Sequence, residues 1–251
     1  MILLIRLLLA RHLHSRYGTG IGTFVVFFIG LTSLGRADES GLLSLKDLEG
    51  FRDPKENWSI CGDVRLDPKN HRQLATDPGE GILVSHGKGV NLYTKKAYRD
   101  CQVEVEFMIS KGSNSGVKLN GCYEIQIYDS WKKKKVTGSD CGGIYPRGEL
   151  KPHYHTIDDG APPKVNACRE PGKWQTLKIT FHSPRFNAQG KKIANGKFDR
   201  VELNGVLIHE NAEVKYPTGA AWHDPEHDQG PVLLQGDHGP VAFRNLRIKP
   251  L

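Results

Sequence analysis

Apolar residues recur at every second position through most of this chain, and a period of two is the signature of half-buried β-strands. YRDCQVEVEFMIS (98–110) sets Val103, Val105, Phe107 and Ile109 on one face. WQTLKITFH (174–182) does the same with Leu177, Ile179 and Phe181. FDRVELNGVLIHEN (198–211) contains Asn204-Gly205, a favoured type I′ pair, and reads as a hairpin. GPVLLQGDHGPVAFRNLRI (230–248) supplies two more strands around the turn GDHGP. No segment sustains a 3.6-residue apolar period, and no repeat is visible. Alternating strands joined by Gly, Pro and Asn turns imply an all-β sandwich or jelly roll. The polar segment 131–173, rich in Gly, Pro and His, reads as one long loop, of a length that is usually functional or disordered.

One strand carries a question. In SNSGVKLNGCYEIQIYDS (113–130), Tyr123, Ile125 and Ile127 share a face, and Glu124, Gln126 and Tyr128 share the other. The first set suits a core. The second suits either solvent or a sugar, since sugars are held by amides, carboxylates and aromatic rings together. On this reading Ile125→Ala costs about 2–5 kcal/mol, and Glu124→Gln, as an exposed polar change, stays within about 0.5 kcal/mol.

The formal charge of +7 is unevenly spread. Arg6, Arg11, Arg16 and Arg36 precede the first acid, Asp38; of 35 basic side chains, 31 then remain against 28 acidic ones, a net +3. That argues against a nucleic-acid partner, and the run Lys132 to Lys135 reads as a solvated loop tip. The early arginines belong to an export pattern: basic RHLHSR, then apolar IGTFVVFFIGLTSLG (21–35), then small residues around Ala37. The apolar run is shorter than the roughly 20 residues needed to span a bilayer. Residues 1–37 are therefore expected to be a signal peptide, residues 38–46 a linker and residues 47–251 one domain. The mature chain is expected in the periplasm or outside the cell, without stable membrane insertion. Five cysteines, Cys61, Cys101, Cys122, Cys141 and Cys168, show no CxxC spacing. An oxidising compartment allows one or two disulfides and leaves at least one free thiol.

Several chemistries fail on inspection. GSNSG (112–116) has Asn114 where a nucleophile elbow needs serine. There is no phosphate loop and no dinucleotide fingerprint. HDPEHD (223–228) offers His223, Asp224, His227 and Asp228 to a divalent metal ion, but Pro225 prevents a helical ligand face, so no cofactor is expected. Carboxylates remain: Glu124 on its strand, Asp129 at the strand's end, and Glu149, Asp158 and Asp159 in the long segment. His155 and His238 are candidate proton shuttles.

Four blocks resemble a known family: SNSGVKLNGCYEIQIYDS, CGGIYPRGELKPHYHTIDDG, PGKWQTLKITFHSPRF and GPVLLQGDHGPVAFRNLRIKPL. They occur in the order found in the 3-keto-disaccharide hydrolase domain family, and the resemblance runs from about Gly50 to Leu251. It implies a concanavalin A-like jelly roll of two antiparallel sheets, with a sugar site on the concave sheet, acting on glycosides oxidised to a ketone at C3. Matched by motif, Asn114 and Ser115 belong to NSG, Glu124, Gln126 and Asp129 to YExQxxD, Tyr145 to GxIY, Trp174 to PGxW, and Gln235 with His238 to LQxxHG. The lysine run at 132–135 departs from the pattern.

A C3 ketone acidifies the C2 proton, so one base can start elimination of the C1 substituent, and water then adds back. Glu124 or His238 is the candidate base, Asp129 or His155 the candidate acid, and Arg147 or a bound cation the holder of the enolate oxygen. Tyr128 is expected to face the ligand beside Glu124 and Gln126. The partners implied are an oligosaccharide or glycoside substrate and a sugar 3-oxidoreductase that supplies it. The rival readings are a lectin-like module without chemistry, a two-carboxylate glycosidase, and a surface adhesion domain tethered by an uncut signal.

Overall fold

A computed structural model of the protein describes residues 41–251. The expected signal peptide and the first residues of the expected linker lie outside them. Fifteen strands follow one another: β1 (Trp58–Leu66), β2 (Leu74–His86), β3 (Leu92–Tyr98), β4 (Cys101–Ile109), β5 (Asn114–Leu119), β6 (Tyr123–Tyr128), β7 (Gly148–Glu149) and β8 (His155–Thr156). They continue with β9 (Gln175–His182), β10 (Arg185–Phe186), β11 (Lys192–Ala194), β12 (Gly196–Leu203), β13 (Val206–Val214), β14 (Gly230–Leu234) and β15 (Pro240–Pro250). One 3-10 turn spans Ala220–His223, and no helix of the described residues is long and apolar enough to cross a membrane.

Two antiparallel sheets make the sandwich. The larger runs β1-β2-β15-β4-β9-β12-β13, and the smaller runs β3-β14-β5-β6. Their facing sides form one core, because alternation sends Val103, Val105, Phe107 and Ile109 of β4 and Leu177, Ile179 and Phe181 of β9 toward Val117, Leu119, Tyr123, Ile125 and Ile127. Tyr123, Phe181 and Phe198 meet ring to ring, with centroids 5.3 and 5.0 Å apart. This is the jelly-roll sandwich implied by the motifs. The β12–β13 hairpin turns at Asn204 and Gly205, both with positive φ (55° and 79°), as a type I′ turn requires. The two strands flanking GDHGP do not pair. β14 lies in the small sheet and β15 in the large one, so the loop between them crosses the sandwich.

Two expectations change. Residues 41–45, read as linker, are part of the domain: the Leu43 N–H donates to Leu246 O (2.8 Å), the Ile248 N–H donates to Gly41 O (2.8 Å), and Leu45 is buried. Nor is 131–173 a single loop. Gln126 exchanges backbone hydrogen bonds with residues 142 and 143, and the Tyr145 N–H donates to Glu124 O, so this stretch lies along β6 as a further irregular strand. Burial of Cys141 and Ile144 drives that docking. All five cysteines are free thiols.

Candidate functional site

The outward face of the small sheet holds a cavity of about 350 Å³. Its floor follows from register. In β5, Ser115, Val117 and Leu119 point to the core, which leaves Asn114, Gly116 and Lys118 outward; in β6 the same rule turns Glu124 and Gln126 outward. The hairpin loop of residues 120–122 pairs Leu119 with Tyr123 and Lys118 with Glu124. Gly116 leaves the space that the carboxylate occupies, since a Cβ there would sit 2.3 Å from Glu124 Oε1.

Lys118 Nζ and Glu124 Oε2 are 3.0 Å apart, with side chains 15% and 3% exposed. Burial alone would lower the ammonium pKa; the Glu124 charge and hydrogen bond outweigh it and hold Lys118 above the ordinary lysine range. This burial overturns the expectation that Glu124→Gln is thermodynamically silent. Removing one member of a buried pair strands the other charge, at a cost of about 3–5 kcal/mol.

The loop from β14 to β15 closes a second side. Gly239 packs where a Cβ would meet Ser113 Oγ at 2.5 Å and Asn114 N at 2.7 Å, and this tight seat brings His238 over the sheet. His238 Nδ1 lies 2.6 Å from Asp237 Oδ1, and that hydrogen bond raises the imidazole pKa against the opposing effect of burial. Burial pushes Asp237 up, but its hydrogen bond and charge interaction with His238 prevail and set it below the usual carboxylate range. Asn91 supports the loop by accepting the Gly236 N–H at 3.0 Å. Gln126 Oε1 and Gln235 Oε1 are buried without a hydrogen-bond partner. Both residues line the cavity, and each keeps one acceptor unpaired beneath its surface.

The third side comes from the long segment. Tyr145 lines the cavity, its hydroxyl pKa pushed up by burial, and accepts the Tyr154 hydroxyl at 3.2 Å. Leu150 and Tyr154 stand at the rim on the same side as residues 219–221, because the Gly148 N–H before Leu150 donates to Gly219 O at 3.0 Å.

Of the twelve residues singled out in the sequence, Glu124, His238, Asn114, Gln126, Tyr145 and Gln235 meet here. The other six do not line this cavity. Asp129 Oδ2 accepts the Gly112 N–H at 2.9 Å and lines a separate cavity of about 680 Å³ beside Trp131. His155 is exposed on β8, its Nδ1 3.0 Å from His153 O. Ser115 has core parity and donates to Gln235 O at 2.7 Å, which anchors the end of β14. Tyr128 has the right parity and pairs with Asn114, yet of that pair Asn114 alone lines the cavity. Arg147 is taken up by Asp158 at 2.7 Å and by the rings of Tyr216 and Trp222. Trp174 has the parity opposite to Leu177, so it packs outside the large sheet under Arg244, 4.0 Å from its guanidinium carbon. Around the possible metal-binding motif, His223 meets Glu149 (3.1 Å) and Asp228 meets Arg99 (3.6 Å). Among the described residues no group of three or more His, Cys, Asp or Glu is arranged to hold a metal ion.

Lys118, Asp237 and Tyr154 were missed. Lys118 was legible: Val117 and Leu119 must face the core with Tyr123 and Ile125, and that constraint puts Lys118 opposite Glu124. Asp237 adjoins His238 in sequence, whereas nothing local marks Tyr154.

An antiparallel sandwich with amides, a carboxylate and a buried lysine gathered on one outward face defines a carbohydrate-active jelly roll. Residues 46–249 match the 3-keto-alpha-glucoside-1,2-lyase-like domain, and the chain belongs to that family, the one its motifs resemble. Two solved structures from Parabacteroides distasonis ATCC 8503, both described provisionally as glycosyl hydrolases, share the fold. One is 24% identical with a TM-score of 0.58 over 84% of each chain. The other is 22% identical with a TM-score of 0.52, over 84% of this chain and 99% of its own. No curated protein matches the chain.

Proposed function

We propose that this protein is an enzyme that cleaves glycosides carrying a ketone at C3, by elimination across C1–C2 followed by hydration. The observation that carries the reading is the buried Lys118–Glu124 pair at the floor of a cavity whose opposite side presents His238 on Asp237. Glu124 takes the C2 proton. The C2–H electrons form the enolate, whose oxygen is met by the Lys118 ammonium in the role first considered for Arg147. Re-formation of the carbonyl expels the C1 oxygen, which takes a proton from the His238 imidazolium. The product sugar has a C1–C2 double bond; adding water across it, hydroxyl to C1 and proton to C2, gives net hydrolysis. A general acid or base contributes about 10²–10⁴-fold, and one enolate donor about 2.7–4 kcal/mol. The reading needs no metal ion or organic cofactor. It does need an oxidoreductase to make the C3 ketone, and export of the chain to the periplasm or beyond accords with the pattern before residue 38.

The test is turnover of matched 3-keto and unoxidised glucosides in heavy water. The expected result is cleavage of the 3-keto compound alone, with deuterium at C2 and loss of exchange in Glu124→Gln. Cleavage of the unoxidised sugar without exchange would favour a two-carboxylate glycosidase. Binding of both sugars without turnover would favour a lectin.

A further inference from the structure

The cavity has two chemically different halves. Lys118, Glu124, Gln126, Gln235 and His238 make a polar half that suits an oxidised sugar ring. Across from them stand Leu150, the ring of Tyr154, Ala220 and Ala221. Leu150 is 66% exposed and Tyr154 is 43% exposed, so the core does not account for either position. A sugar offers a leucine side chain only its small C–H patches, whereas a hydrocarbon group gains from every part of its surface removed from water.

Nor is the apolar half a loose loop tip. β7 and β8 pair Gly148 with Thr156 and Glu149 with His155, and Leu150 and Tyr154 flank the turn between them. Tyr154 lies against Gly148, where a Cβ would sit 2.7 Å or less from its ring and hydroxyl, and its hydroxyl donates to Tyr145. Arg147–Asp158 at 2.7 Å and His223–Glu149 at 3.1 Å brace the two ends. Ala220 and Ala221 open the 3-10 turn beside this hairpin, joined to it by the Gly148 N–H on Gly219 O at 3.0 Å, and both line the cavity.

We infer that Leu150, Tyr154, Ala220 and Ala221 form a subsite for an apolar aglycone, so that the preferred substrates are 3-keto-glycosides of hydrophobic alcohols. This rests on the elimination reading only for which half holds the reacting ring; the apolar contact itself is a binding property.

The experiment uses the full chain with methyl and cyclohexylmethyl 3-keto-glucosides in both anomers, two alcohols of similar leaving ability. Binding is read by calorimetry and turnover separately. The cyclohexylmethyl compound should bind about tenfold tighter, at the low end of the range for added hydrocarbon in an apolar pocket. Leu150→Asn should remove most of that ratio, and Leu150→Met should keep it. Equal binding of the two compounds, or a ratio unchanged in Leu150→Asn, would overturn the subsite even if both are cleaved. A binding preference that depends on Leu150 without any turnover would support the subsite and sink the elimination reading.

Discussion

Two of the connections that line the candidate site contribute to it differently. Five residues, 235–239, supply Gln235, Asp237 and His238; the segment 131–173 supplies only Tyr145, Leu150 and Tyr154. The short loop spans from one sheet to the other with both ends fixed by β14 and β15, so its side chains have one place to go. The long segment spends most of its polar residues on itself. Asp158 holds Arg147, and Asp140 accepts from Lys133, Thr137 and Ser130. The Cys141 and Cys168 thiols hydrogen-bond to each other. Charge density in the long segment goes into bracing, while the titratable groups of the short crossing loop line the candidate site.

The largest test of that contrast compares histidines from the two regions. His238→Ala should lower kcat/KM for a 3-keto-glycoside by about 10²–10⁴-fold, and His155→Ala should leave it within about twofold of wild type, an exposed side chain away from the cavity being expendable. Comparable losses in a steady-state assay would erase the distinction. Next, Gly239→Ala should cost about 10²-fold in kcat/KM, because its Cβ meets backbone at Asn114 N and displaces His238, and small misplacements cost that much. In the long segment the corresponding weak point is packing. Ile144→Ala should destabilise the fold by about 2–5 kcal/mol, read by denaturant melts, since a buried aliphatic is truncated.

Smaller effects sharpen the picture. In the proposed elimination His238 acts while protonated, and its pKa is raised mainly by the hydrogen bond to Asp237. The alkaline limb of kcat/KM should therefore lie above the ordinary histidine value of 6.5, and Asp237→Asn should move it to lower pH. A limb that stays in place in that variant would separate it from His238. Finally, the thiol contact predicts an order of alkylation. The Cys141 thiol donates to Cys168 and lowers its pKa, whereas burial pushes Cys101 and Cys122 up to about 12. Peptide mapping after brief iodoacetamide treatment should find Cys168 labelled first.

Much of this was legible from alternation alone. The inward residues of β4, β6 and β9, the β12–β13 turn and the outward Glu124–Gln126 pair all follow from a period of two, which is a property of the backbone and needs no knowledge of neighbours. Motif matching brought in His238, Gln235 and Tyr145. It also brought in Trp174 and Ser115, which occupy a different face because a motif marks a position in the chain and says nothing of the direction its side chain takes. Asp129, matched by motif, and Arg147, a candidate on charge, turn elsewhere: Asp129 accepts the Gly112 N–H and Arg147 pairs with Asp158.

By itself, then, the sequence determined the class of fold, the strand faces and the family, since each depends on local period or on ordered blocks along the chain. Tertiary structure decided the site. It chose which polar residues share a cavity, and it brought Lys118, opposite Glu124 on its outward face, into one cavity with His238 more than a hundred residues away. It also set Leu150 in the lining of that cavity. Those contacts come from strand pairing and a loop that crosses between sheets, and distances of that kind are fixed by packing in three dimensions, with no trace in any single stretch of chain.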